Sequence, residues 1–235
     1  MERLCIPFEI VHPEINEAMR PHEKPHTLVT RLSEEKAYAH SSCYQSHLII
    51  GSDQIAYIND EPSSDSNNLN IFSSSASIKV INPVIIAKPK NKKAAFDQLK
   101  LQSGKKVIFL TSVSVLNTSS SEIETNVVAT NVIFRTLSEE EINDYLNYET
   151  PYDCAGSLKS EGLGIRLLDA VYSSDPTALV GLPLIQLSKM LRSNKYKTHS
   201  IINSNYCFKC IFISAILSTQ NNGWYFLRRL GLCAP

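Results

Sequence analysis

His47-Leu48-Ile49-Ile50-Gly51-Ser52-Asp53-Gln54 is the stretch on which the fold turns. Leu48 to Ile50 carry no polar interruption, the pattern of a short strand buried on both faces. Gly51 follows, where the backbone is least restricted, and the chain is expected to open there. An acid and an amide come next. This places Asp53 and Gln54 at the strand's carboxyl end, where open α/β sheets bind ligands. Asp53 is the candidate reactive group.

Upstream, Thr27 to Tyr38 predicts a helix, because Leu28, Leu32 and Ala39 keep helical spacing. Lys36 lies one turn beyond Leu32 on the same side. It reads either as a snorkelling lysine or as a phosphate ligand in a cleft. Pro7 to Val11 alternates like a short strand, and His12, Pro13, Pro21 and Pro25 then make a loop. Glu14 and Glu17 in that loop are either two solvated acids or an acid aimed at a metal or a substrate hydroxyl.

Downstream, Ile55 to Ile58 continues as a hairpin. Glu61 to Ser77 is low in complexity and too polar to bury its backbone, and reads as an inserted loop. Ile78 to Ile86 becomes apolar again around Pro83, as in an edge strand. A helix over Ala94 to Gln102 turns Phe96, Leu99 and Leu101 inward and stops at Gly104. Lys88, Lys90, Lys92 and Lys93 surround its start, a position that favours anions. Val107 to Asn117 and Val127 to Leu137 form an antiparallel hairpin around a polar turn at Thr118 to Glu124.

Ser138 and Glu141 make a capping box for a helix over Glu139 to Asn147. Asp153 to Ile165 is rich in glycine and small residues, which implies close backbone approach. It carries Lys159 and Glu161 and lacks the ending of a P-loop. Leu167 to Val171 reads as a strand. Asp175 or Thr177 caps a helix that carries Leu184, Ile185, Leu187 and Leu191. From Ser193 the character changes, and Cys207 and Cys210 form a lone Cys-x-x-Cys pair, too few ligands for zinc.

The chain has 235 residues, enough for one large domain or two small lobes. Its 23 basic and 23 acidic side chains cancel. That balance gives no support to nucleic acid or a membrane surface as the main partner. The six cysteines are scattered, and the first residues lack the apolar run of a signal peptide, so a reducing, cytoplasmic location is expected. Lysines with carboxylates suit a phosphorylated substrate held with a divalent cation. A carboxylate at the rim can activate water. The residues alone reach phosphate chemistry in an α/β domain.

Residues 4 to 192 resemble the Maf-type nucleotide pyrophosphatases. The resemblance rests on Ile6-Pro7-Phe8-Glu9, Pro13 to Glu17, Arg31 to Ala37, Ile49 to Gln54, Lys88-Pro89, Asp153 to Ile165 and Asp175 to Pro183. Gln54 and Lys159-Ser160-Glu161-Gly162 are similar to the 7-methyl-GTP pyrophosphatase branch. The resemblance implies an α/β fold of the Maf and inosine triphosphatase type: a mixed twisted sheet flanked by helices, with two lobes around a cleft. It implies hydrolysis of the α–β phosphoanhydride of a nucleoside triphosphate, with Mg²⁺ or Mn²⁺ as cofactor and a homodimer as the assembly.

Residue by residue, Asp53 matches the proton acceptor, and Gln54 and Glu161 match positions tied to base choice. Glu17, Lys36 and Lys88 match charged groups of the phosphate cleft. The metal ligands are not identified. The family domain covers 1–192, with 61–80 as an insertion and 193–235 as a divergent tail. Family members begin earlier, with a strand and a Ser-x-Ser-Pro-x-Arg-like phosphate loop that precede the start of this chain. Without that strand the sheet is expected to show an exposed edge or a gap. Asn16 stands where aspartate is usual, and Ala87 replaces a glycine. Two other readings stay open: a catalytically impaired nucleotide-binding remnant of the family, and a zinc module on Cys207 and Cys210.

Overall fold

A computed structural model describes residues 1–59, 83–194 and the backbone of 210–213. The 61–80 insertion, the Cys207–Cys210 pair and nearly all of the tail lie outside the described residues. Among the described residues seven strands form one mixed sheet: β1 (Phe8–Val11), β2 (Leu48–Ile58), β3 (Val84–Ile86), β4 (Lys106–Asn117), β5 (Glu122–Phe134), β6 (Leu168–Ser173) and β7 (Cys210–Ile213). The order is β1-β7-β2-β4-β5-β6, with β3 also paired to β2. Each neighbouring pair in the run β3, β2, β4, β5, β6 is antiparallel, while β7 runs parallel to both β1 and β2. Among the described residues four α-helices flank the sheet: α1 (Pro25–Tyr38), α2 (Lys92–Gln102), α3 (Glu139–Tyr148) and α4 (Leu184–Ser193). Among the described residues no helix is long and apolar enough to cross a membrane.

β2 corrects the reading of the opening stretch. The strand does not end at Gly51. It runs on through Ser52, Asp53 and Gln54 to Ile58, so Asp53 is mid-strand rather than at a carboxyl end. Ile55 to Ile58 is the same strand, not a hairpin. The polar residues are tolerated in the buried strand because each has partners. Ser52 Oγ donates to the Ser112 and Gly181 carbonyls. The Gln54 amide and the Asp53 carboxylate are satisfied in the candidate site described below.

Gly51 is there for closeness, not flexibility. A Cβ at this position would stand 2.1 Å from the Ser33 carbonyl oxygen and 2.8 Å from the Ala37 nitrogen, both on α1. Ser33 Oγ bonds Ser112 Oγ at 2.7 Å and Ser114 Oγ at 2.8 Å across the same seam. Helix α1 thus lies directly on β2 and β4. Gly51→Ala must lift it, and we expect a loss of about 3 kcal/mol or more, since the obstruction is rigid backbone. Urea denaturation checks this, and a loss below about 1 kcal/mol would show that the seam can yield.

Alternation along β2 sends successive side chains to opposite faces. Ile49 and Ile55 pack on the α1 side, with Ala37 and with Leu28 and Leu32 respectively. Ile50 packs on the other side with Leu187, Met190 and Leu191 of α4. Ala56 and Ile58 join a core with Leu99, Phe109, Phe134, Ile142 and Leu146 beneath α2 and α3. Asp53 therefore shares the α1 face, and Gln54 shares the opposite one.

Most element expectations hold. Both halves of the Ser138–Glu141 capping box form. Asp175 Oδ2 accepts from the Ile185 and Gln186 amides and so caps α4. Three details differ. β5 begins at Glu122 instead of Val127, because alternating Glu122, Glu124 and Asn126 keep strand pairing while facing solvent. Leu101 is exposed, as it falls on the outer side of α2. The expected gap is filled in part: β7 pairs between β1 and Leu48–Gly51 of β2, which leaves Ser52 to Ile55 open on that side among the described residues.

Candidate active site

β2 has two different neighbours on its outer side. β7 pairs with Leu48 to Gly51, and β3 pairs with Ala56 to Ile58. Between them, Ser52 to Ile55 has no strand partner on that side among the described residues. A cleft of about 500 Å³ opens there. Asp53, Gln54 and Ile55 form part of its wall, with Glu17 and Met19 from the loop before α1, Leu28 and Leu32 from α1, and Lys88 and Lys90 after β3. The interruption in pairing lets mid-strand residues line the cleft.

Asp53 is 4% exposed, and Lys36 from α1 is fully buried against it. The Lys36 ammonium donates to Asp53 Oδ1. It also stands 3.0 Å from Glu17 Oε1, and Lys88 Nζ is 3.9 Å from Glu17 Oε2. Carboxylates and ammoniums alternate along one line: Asp53, Lys36, Glu17, Lys88. Burial pushes the Asp53 carboxyl up, and although the Lys36 ammonium opposes this, Asp53 stays above its ordinary value. Glu17 goes the other way. Its partial burial is outweighed by Lys36 and Lys88, which hold it below its ordinary value. Two neighbouring acids with divergent affinities for protons suit different tasks.

Gln54 is held by its donor end. Nε2 donates to Thr111 Oγ1 at 2.9 Å and to the Ala178 and Leu179 carbonyls at 2.9 and 3.2 Å. Two carbonyl neighbours fix which end is the amide nitrogen. Oε1 is then the end left to receive a ligand's donor.

Mg²⁺ is commonly held by one or two carboxylates plus substrate phosphates. Glu17, with 44% of its side chain exposed beside the cleft, fits that mode. Among the described residues no cluster of three or more His, Cys, Asp or Glu forms an all-protein cage.

Of the residues singled out from the sequence, Asp53, Gln54, Glu17 and Lys88 line the one cleft. Lys36 lies behind them, joined to Asp53 and Glu17. It is fully buried on the apolar side of α1 and does not snorkel to solvent. Glu161 is exposed and does not line the cleft; its Oε2 accepts from the neighbouring Ser160 hydroxyl at 3.5 Å. Lys159 pairs with Glu149 at 2.8 Å instead of facing a ligand. Sequence reasoning missed the apolar wall of Met19, Leu28, Leu32, Ile85 and Ile86, since those residues read as core or loop. Of the four lysines read as surrounding the α2 start, Lys88 and Lys90 line the cleft, Lys90 with a left-handed backbone, φ 64°, that no local signal announces.

The family model described as "Maf-like protein" matches residues 1–194. The 7-methyl-GTP pyrophosphatase of Pseudoalteromonas atlantica is 43% identical over 192 residues, 82% of this chain and 87% of that protein. The enzyme of the same name from Aromatoleum aromaticum is 42% identical over 193 residues, 82% of this chain and 88% of that one. That from Pseudomonas syringae pv. tomato is 42% identical over 191 residues, 81% and 88% of the two chains.

Proposed function

This chain belongs to the Maf-like protein family, and we propose that it is a nucleoside triphosphate pyrophosphatase acting on 7-methyl-GTP. The reaction is hydrolysis of the α–β phosphoanhydride, with 7-methyl-GMP and pyrophosphate as products. The observation that carries this reading is the Asp53–Lys36–Glu17–Lys88 line at the open edge of β2. The relatives' shared name supports the substrate.

In this mechanism Asp53 takes a proton from the attacking water, a task favoured by a carboxylate whose burial has raised its proton affinity. Lys36 holds Asp53 in place. Lys88 and Lys90 offset the charge of the phosphate chain. Glu17 would hold a divalent cation, Mg²⁺ or Mn²⁺, which would supply further charge neutralisation for the pyrophosphate. Gln54 Oε1 accepts from the N–H edge of the guanine. The apolar wall around Met19 and Ile86 takes the body of the base, whose methyl group needs no polar partner. Glu161 contributes to base choice in this reading from outside the cleft lining.

A nucleotide substrate fits a cytoplasmic location, as do the unbridged thiols of Cys5, Cys43 and Cys154. A homodimer is part of the same proposal, supported by the family pattern.

Comparison of nucleotides tests the substrate. With Mg²⁺ present, pyrophosphate release from 7-methyl-GTP should exceed that from dTTP and UTP by about tenfold or more in kcat/KM. Equal or better turnover of dTTP or UTP would remove the base-reading role given to Gln54.

A further inference from the structure

We infer that Arg31 is a positioning residue that latches the loop carrying Glu17 and Met19 against α1, and so sets one wall of the cleft. The inference rests on the reading of that cleft as the active site. The loop between β1 and α1 contains Pro13 and Pro21, and it has no helix or strand of its own. Its one tight turn runs from the Arg20 carbonyl to the Glu23 amide, 3.1 Å, with Pro21 and left-handed His22 at the centre. A segment of this kind must be held by side chains.

Arg31 does the holding from the middle of α1. Its Nε donates to Glu23 Oε1 at 2.7 Å, and Nη2 donates to Glu23 Oε2 at 2.9 Å, a two-pronged contact. Nη1 donates to Glu35 Oε2 at 3.0 Å. Nη2 also donates to the Ala18 carbonyl at 3.1 Å. Ala18 sits between Glu17 and Met19, and all three loop residues line the cleft. The Arg31 and Glu23 side chains are 11% and 4% exposed, so the pair is sheltered from competing water. Only a guanidinium offers donors in this fixed fork; an ammonium on a lysine stem cannot reach Glu23 and Ala18 together.

Arg31 and Lys36 belong to the same helix. The middle of α1 fixes the loop through Arg31, and its last turn fixes Asp53 through Lys36. Loosening the latch frees Glu17 without disturbing the Lys36–Asp53 contact. The hydrogen bonds from Arg31 hold the Glu23 carboxyl down at about 2, so the latch stays charged at any working pH.

The test is Arg31→Lys, with two readouts. The first is cleavage by a glutamate-specific protease at the Glu17–Ala18 bond, which needs no substrate. It should accelerate by about tenfold or more as the loop opens, while the urea midpoint stays near the wild-type value. The second is steady-state kinetics, in which kcat should fall about 10- to 100-fold with a smaller change in KM. Glu23→Gln, which keeps the shape and loses the charge, should fall between the two proteins on both readouts. Arg31→Lys with cleavage and kcat both within about twofold of wild type would overturn the latch. So would cleavage spread across the whole chain, which would make Arg31 a general stabilising residue. If Arg31→Lys shows no cooperative unfolding, Glu23→Gln decides by the same readouts. If the wild type releases no pyrophosphate yet the protease arm behaves as stated, the functional reading fails and the latch stands.

Discussion

Asp53→Asn should lower the rate of pyrophosphate release by about 10²- to 10⁴-fold, the range expected for loss of a general base. The asparagine keeps the size of the side chain and can still accept from Lys36. The loss is therefore of proton affinity and not of packing. The pH profile carries the same argument. The Asp53 carboxyl sits above its ordinary value because of burial. As pH falls through that raised value, Asp53 takes a proton and can no longer accept one from water. The acid limb of kcat/KM in the wild type should lie above the usual carboxylate range, and it should be absent from the residual activity of the mutant. A mutant that retains the wild-type rate or the wild-type acid limb would assign the base elsewhere.

The sign for stability is opposite for the two acids. A raised Asp53 contributes stability that is present at low pH and lost as pH rises through the raised value. A lowered Glu17 contributes stability that is present above its ordinary value and lost as pH falls through the depressed one.

Lys36→Met should cost about 3–5 kcal/mol, because it leaves a buried Asp53 carboxylate without its ammonium. Lys36 is fully buried, so water cannot replace the lost contact without opening α1 from the sheet. Methionine fills much of the same volume, which isolates the electrostatic part. The double change Lys36→Met with Asp53→Leu removes both charges and should recover most of the stability, since an apolar pair of similar size is often as stable as a buried ion pair. Glu17 needs no compensation in that variant, because its side chain reaches solvent. Urea unfolding of the two single mutants and the double mutant gives the coupling. A Lys36→Met loss below about 1 kcal/mol would mean that the pair is not desolvated as the burial indicates.

Much of this was legible in the sequence, for reasons that can be named. Helix α3 announces itself through Ser138 and Glu141, a local signal that the structure obeys on both sides of the box. The two long strands β4 and β5 were legible from alternation. Asp53 and Gln54 were found because two polar residues after an apolar run need an explanation. The explanation was wrong in one respect. Local pattern placed them past the end of a strand, whereas long-range partners keep them inside it: Lys36, Thr111, Ala178 and Leu179 are all distant in sequence.

Gly51 shows the same limit. Sequence offers flexibility as the reason for a glycine. The structure gives a helix carbonyl where a Cβ would stand, and only the packed fold shows that. The open stretch at Ser52 to Ile55 was also beyond reach, because it depends on where β7 and β3 stop. Arg31 appeared only as part of a motif. Its meaning comes from Glu23 and Ala18, brought to it by an irregular loop whose path no periodicity predicts.

The most direct measurement is product analysis with the wild-type protein. Incubated with 7-methyl-GTP and Mg²⁺, it should yield 7-methyl-GMP and pyrophosphate in equal amounts, with no inorganic phosphate formed at early times. Release of 7-methyl-GDP with inorganic phosphate, or no hydrolysis at all, would contradict the assignment of this cleft to cleavage of the α–β bond.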